Sequence, residues 1–462
     1  MNQNNTEAEV NLFRFTFHFI TQNTNSFFVS VEGPDENETL INFVNDMYRV
    51  LYASNVKQDL DPAHPNQIKA SALQRMTPSL RTQVNAMLSD YTKLKPSIHK
   101  AISKLNSIED DEYFFVFPYE FTEKMQAQML LQTFLRAKNS LNSDEEVNQY
   151  MQTHMEGFNS LFDDLLEKYN IAVFGETERR TVIGQKPTKE HGVCRFCKSP
   201  VDENTTFRKV AHTISEALGN KSIVTADECD TCNERFGRDY EPHLIQYLDI
   251  LRVYYGTRGK KGIPHLKFKN GQVFQHKQEG SEENSIVIAS QDIVETENGL
   301  IVSLSANQKV NKLKIFKSLC KYAISVLPAK ELPAFESTIE WLFSDPEIGE
   351  EKQQFHIAKM YGQSYAEHPE LTLYTRISDT DPEWPHVVAD FKLGTLHLIF
   401  ILPFSKKDAS TFNLETDFQK LSQLFRHYQK FEDQIIFENL SNSEERECEY
   451  KVRFSTGKIN QQ

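Results

Sequence analysis

At 462 residues, with 39% hydrophobic and 11% aromatic side chains, the chain has enough apolar surface to bury sizeable cores, which excludes wholesale disorder. Its length suggests about two to four domains. The net charge of -14 argues against indiscriminate nucleic-acid binding and leaves room for a local basic face. The polar, acidic start MNQNNTEAEVNLFRF lacks the marks of a signal peptide, and no apolar run of about 18 residues occurs, so no membrane span and a cytoplasmic location are expected.

The predicted fold class is α+β multidomain. NLFRFTFHFI alternates aromatic and polar positions and, with SFFVSV after the turn-like TQNTN, reads as paired strands. A helix is expected from Asn37 or Glu38 to about Asn55, and two helices parted at Pro78 from SALQRMTPSLRTQVNAMLSDYTKL. EYFFVF reads as a strand, followed by helices from about Tyr119 to Leu141. Ser143 and Glu146 form a capping box that opens a helix to about Tyr169. Residues 1–175 thus make a helix-rich α+β domain without a catalytic constellation. Residues 176–190 lack hydrophobic periodicity and read as a linker to a cysteine module over 191–258.

Residues 259–462 read as an α+β domain with a largely antiparallel sheet. HLKFKNGQVFQH predicts a hairpin turning at Asn270-Gly271, with further strands near 285–290 and 298–304. Helices are expected at 309–326 and 329–343, strands at 370–377, 385–392 and 395–403, a helix near 412–429, and strands near 433–438 and 447–454. Asp390 and Lys392 form a faint acid-x-Lys half-motif without an upstream acidic partner.

The chemistry concentrates in CRFCKSPVDENTTFRKVAHTISEALGNKSIVTADECDTCNERFGRDYEPHL. Cys194, Cys197, Cys229 and Cys232 form two C-x2-C pairs. Such knuckles each aim two thiolates at one ion, and zinc prefers four tetrahedral ligands. Without a secretion signal, clustered thiols point to metal rather than disulfides. Cys320 and Cys448 lie far from the cluster and read as buried or semi-buried thiols. His191 precedes the first knuckle, but four cysteines suffice. Between the pairs, His212 follows the β-prone FRKVA, Asn220 lies in the LGN turn, and Asn233 follows the last cysteine.

At these residues the sequence resembles the HNH, or ββα-metal, endonuclease superfamily in its zinc-containing four-cysteine branch. The resemblance covers about 60 of the 462 residues. It implies a ββα-metal module in which His212 is the general base on a water that attacks a phosphodiester. One divalent cation, Mg2+ or Mn2+, would steady charge on the leaving oxygen. Asn220 matches the middle letter of HNH, which orients the histidine, and Asn233 the last, also a ligand of that cation. Many relatives carry a metal-binding Asp before the histidine, where this chain has Ala211. Glu241 is then the leading replacement ligand, with His243 and Asp230 as alternatives. Pro242 implies that the helix after the second knuckle breaks near Gly237 and restarts.

TRGKKGIPHLKFK carries Arg258, Lys260, Lys261, Lys267 and Lys269 with no acid among them, a candidate phosphate-contacting run. Arg208, Lys209 and Lys221 could line the same face. The expected activity is metal-dependent cleavage of nucleic acid, with DNA placed before RNA. The architecture resembles restriction and anti-phage defence effectors. An activating partner protein, a small-molecule trigger or homo-oligomerisation would restrain such an enzyme. The competing reading is a non-catalytic, zinc-stabilised nucleic-acid-binding or scaffold protein, degenerate because of Ala211.

Overall fold

The computed structural model describes residues 12–22, 26–34, 37–52, 71–93, 97–119, 125–175, 180–277, 284–296, 299–344, 354–429 and 434–455. Parts of several expectations lie outside these residues: 23–25 of TQNTN, 53–55, 120–124, 176–179, 298 and 433. Two compact units form, Met1–Asn159 and Ser160–Gln462. Their helices and mainly antiparallel sheets make the protein α+β multidomain. Among the described residues no helix is long and apolar enough to cross a membrane.

The first elements are β1 (Leu12–Ile20), β2 (Phe27–Pro34), α1 (Glu38–Tyr52), β3 (Leu73–Arg75), α2 (Pro78–Asp90), α3 (Ser97–Asn106), β4 (Tyr113–Phe117), α4 (Met125–Ser140) and α5 (Asp144–Lys168). The alternating aromatics of β1 pair antiparallel with β2, and the sheet runs β2-β1-β4-β3. Phe17, Phe19, Phe43, Met47 and Phe114 pack one core behind it. The two-helix expectation around Pro78 is corrected. Leu73–Arg75 is a strand paired with β4, and only the segment from Pro78 is helical. The Thr77 side chain accepts from Leu80 N, and proline suits a first helical turn because its missing N–H is needless there. The capping box is present: Ser143 Oγ accepts from Glu146 N, and Glu146 Oε2 from Ser143 N, both at 3.2 Å.

In the second unit β5 (Tyr169–Phe174), β6 (Thr181–Ile183), β7 (Ala211–His212) and β8 (Ile223–Thr225) precede α6 (Asp230–Asp239), α7 (Glu241–Tyr247) and α8 (Asp249–Tyr254). Next come β9 (Leu266–Phe268), β10 (Gly271–Lys277), β11 (Asn284–Ser290), β12 (Asp292–Thr296), β13 (Gly299–Asn311), α9 (Lys312–Val326) and α10 (Glu336–Phe343). β14 (His356–Arg376), β15 (Val387–Ile401), α11 (Leu414–Leu424), α12 (Arg426–Gln429), β16 (Ile436–Asn439) and β17 (Glu445–Ser455) close the chain.

The sheets order as β15-β14-β16 with β5 beside β14, β12-β13-β17, β11-β10-β9, and β6-β8-β7. The stretch read as a linker therefore contributes β6, which pairs parallel with β8. β14 is one long strand where only 370–377 was expected, and β15 joins two expected strands through Gly394, at φ 61°. The hairpin expected at Asn270-Gly271 turns one residue earlier, through Lys269 and Asn270. Gly271 already belongs to β10, where a Cβ would lie 2.1 Å from the Ala289 carbonyl oxygen.

The cysteine segment does not have a core of its own. Phe196 and Phe236 share one buried cluster with Leu319 of α9 and with Phe391 and Leu398 of β15. The apolar run Leu398–Phe404 lies at the heart of this arrangement, with Leu398, Phe400 and Leu402 at 0% exposure.

Candidate active site

The first knuckle closes through Lys198, at φ 60°, whose amide donates to the Cys194 carbonyl at 3.0 Å, while Cys194 N donates to Ser199 O at 2.9 Å. The second is a helix start: Cys229 caps α6, and its sulfur accepts from Cys232 N at 3.5 Å. Helix N-termini favour thiolates through their free N–H groups. Cys194 and Cys232 sulfurs stand 3.9 Å apart, those of Cys197 and Cys229 3.7 Å. Tetrahedral zinc with bonds of about 2.3 Å separates its sulfurs by about 3.8 Å. All four lie within 4.8 Å of one another and none is in a disulfide, so the donor set fits structural zinc. Cys320 is buried and Cys448 partly so, as their isolation in the sequence suggested.

Between the knuckles the chain forms the β7–β8 pair, with His212 opposite Val224. A single 3-10 turn, Glu216–Leu218, follows and ends at Gly219 in the left-handed region, at φ 100°. Asn220 is 1% exposed. Its Nδ2 donates to the carbonyls of Ile214 and Ile223, both at 2.9 Å, and its Oδ1 accepts from Ile223 N at 3.0 Å. Asn220 thus pins both ends of the loop behind His212. Among the described residues it makes no hydrogen bond to the imidazole.

His212 is half-buried. Burial lowers its pKa below the usual 6.5, and Arg180 and Lys321 act in the same direction against Glu216 and Glu241. The imidazole is therefore neutral at pH 7, the state a general base needs. Arg180 precedes β6 and is exposed, a cation near His212 that the sequence did not single out.

α6 ends at Asp239 with Tyr240 as its cap, and α7 restarts at Glu241 with Pro242 in its first turn. The break falls three residues after the expected Gly237. Gly237 has open space and stays helical, whereas Pro242 cannot donate to the Arg238 carbonyl and ends the ladder. This break faces Glu241 toward Lys321, whose ammonium is 3.5 Å from Glu241 Oε1 and 3.0 Å from the His212 carbonyl oxygen. One cation thus joins the strand of His212 to the helix of Glu241. Glu228, fully buried, lies 3.5 Å from the same ammonium, and burial pushes its carboxyl up to about 7.

The other proposed ligands are placed differently. Asp230 is engaged by the amides of Arg208 and Lys209, at 3.0 and 2.8 Å. His243 Nδ1 accepts from Asn311 N at 3.2 Å. Both are committed to local structure. Asn233 lies half-buried in the first turns of α6, and among the described residues no hydrogen bond links its side chain to His212 or Glu241. Ala211 is buried and offers no donor.

Arg258, Lys260, Lys261, Lys267 and Lys269 are all exposed. Lys260 and Lys261 sit at the tip of a tight loop closed by reciprocal Gly259–Gly262 hydrogen bonds of 3.1 and 3.0 Å. Gly259 packs on the turn after His212, where a Cβ would stand 3.2 Å from Ala217 Cα. Lys269 instead pairs with Glu447 at 2.5 Å, and Lys209 pairs with Glu234. Lys221 and Arg208 are exposed. The half-motif acid Asp390 is taken by His397 at 2.8 Å and Tyr428 at 2.9 Å, and Lys392 by Ser364 at 2.9 Å.

A short ββ pair and a following helix, stapled by four thiols, define a ββα-metal module. Residues 194–249 match the family model described as HNH endonuclease. The match covers this segment alone, whose four clustered cysteines are similar to the zinc-containing branch of that family. No curated protein and no solved structure matches the chain.

Proposed function

We propose that the protein is a metal-dependent endonuclease that hydrolyses DNA phosphodiesters, with His212 as general base. The observation that carries this reading is a neutral, half-buried His212 joined through one ammonium to the carboxylate of Glu241, inside an HNH module. Glu241 is 13% exposed at its side chain and offers a hard oxygen donor, and the Asn233 amide oxygen is a second. These would hold Mg2+ or Mn2+ in place of the ligand missing at Ala211. When bound, the cation supplies Lewis acidity at the phosphate. His212 takes the proton from the attacking water. Asn220 keeps the loop behind it fixed, and Arg180 with the Arg258–Lys261 loop offers charge to the phosphate backbone. A restriction or anti-phage role, with a partner or small-molecule trigger, fits an acidic protein that exposes Arg180, Arg258, Lys260 and Lys261 in and beside this module. Ala211 favours the second reading, a zinc-stabilised binding protein.

The test compares the full chain with His212→Ala on plasmid DNA, single-stranded DNA and RNA in Mg2+ and Mn2+. The expected result is cleavage of DNA that falls by about 100-fold or more in the variant, the scale of general-base catalysis, with zinc retained. Equal cleavage by both proteins, or none by either across metals and substrates, would overturn the proposal. Cleavage of RNA alone would move the substrate class.

A further inference from the structure

Resting on that nuclease reading, we propose that Lys321 is a positioning residue of the site, supplied by α9 from outside the segment that matches the family. Its side chain is 1% exposed, and an ammonium that deep persists only with partners. The partners it has belong to the site: the His212 carbonyl oxygen at 3.0 Å, Glu241 Oε1 at 3.5 Å and Glu228 Oε2 at 3.5 Å. The Phe236 and Tyr322 rings flank it at 5.7 and 5.8 Å. Lys317, one turn earlier on α9, is the contrast. It is 2% exposed, yet its ammonium goes to the carbonyls of Trp341 at 2.7 Å and Ser344 at 3.1 Å, away from the module's catalytic residues.

Lys321 has two separable effects. It fixes the strand of His212 against the start of α7, which sets the distance between base and metal ligand. It also places a positive charge against Glu241, which opposes a second cation there. Among the described residues, Glu241 Oε2 has no hydrogen-bond partner, so the carboxylate keeps one face for a metal. Removing the ammonium therefore frees charge for the metal while loosening the geometry. Local unfolding would weaken both metal binding and turnover, so the two outcomes can be told apart.

The experiment uses the full chain and Lys321→Met, Lys321→Arg and Lys317→Met. Zinc content reports the fold, calorimetric titration with Mn2+ reports the catalytic cation, and DNA cleavage at saturating Mn2+ separates kcat from KM. Lys321→Met is expected to keep zinc and to bind Mn2+ about threefold tighter or more. Its kcat falls by about tenfold or more, with KM for DNA within about twofold. Lys321→Arg keeps the charge but not the compact geometry, so Mn2+ affinity holds while kcat falls. Lys317→Met matches the wild type in both. Unchanged kcat and Mn2+ affinity in Lys321→Met, or a parallel loss of both, overturns the proposal. If Lys321→Met loses zinc, wild-type kcat in Lys321→Arg does so instead. A wild-type chain that neither binds Mn2+ nor cuts overturns the nuclease reading, and this inference with it. An active wild type with unaffected Lys321 variants removes only the role of Lys321.

Discussion

The Arg195 guanidinium donates to the Ser325 carbonyl at 2.7 Å, joining the first zinc knuckle to the end of α9. The same Nη1 reaches the Ile324 carbonyl at 2.8 Å, while Nε meets Asp227 Oδ1 at 2.7 Å. The last carbonyls of a helix lack intrahelical donors, and a guanidinium offers several in one plane.

Arg195→Ala is expected to destabilise the second unit by about 3 kcal/mol, because it strands buried carbonyls and the Asp227 carboxylate together. Thermal and urea unfolding of the full chain check this. Arg195→Lys should recover little, since one ammonium cannot span both partners. A melting profile like that of the wild type would contradict the account.

Asn220→Ala removes three buried hydrogen bonds at once. A loss of about 2–3 kcal/mol is expected, with amide exchange rising at Ile223 and cleavage falling through a looser His212 loop. Asn220→Asp should also fail, because it sets a carboxylate oxygen against two carbonyl oxygens. Protection at Ile223 equal to the wild type would rule out the pinning role.

Zinc removal should act locally first. A strong chelator, or Cys229→Ser, is expected to lower zinc content, abolish cleavage and open residues 194–249, because metal binding supplies folding energy to such sites. Hydrogen exchange should locate the opening around the knuckles. Full zinc content in Cys229→Ser would contradict a four-thiolate site.

The pH dependence follows from His212. Its pKa is held below 6.5, chiefly by burial, and the base works only when neutral. Cleavage should therefore decline, as the imidazole protonates, at a pH lower than a free imidazole would set. Arg180→Ala removes one lowering influence and should move the decline upward. A decline centred above 6.5 in the wild type would argue against His212 as the base.

By itself the sequence determined the features whose causes are local. Two C-x2-C pairs bring thiols together because each knuckle spans only four residues. The Gly219 turn, the Ser143–Glu146 box and the β1–β2 alternation are likewise set by neighbours along the chain. Residues 73–75 and 169–174 became strands because β4 and β14 were there to pair with them, and no local pattern names a distant partner. The tertiary structure alone decided how the site is completed. Lys317 and Lys321 stand four apart on α9, a helix that also carries Lys312 and Lys314. Their spacing could not say that one would reach two carbonyls of the α10 end and the other the strand of His212. Arg195 and Lys321 act across more than 100 residues, where only the packing of α9 against the module sets which charges meet.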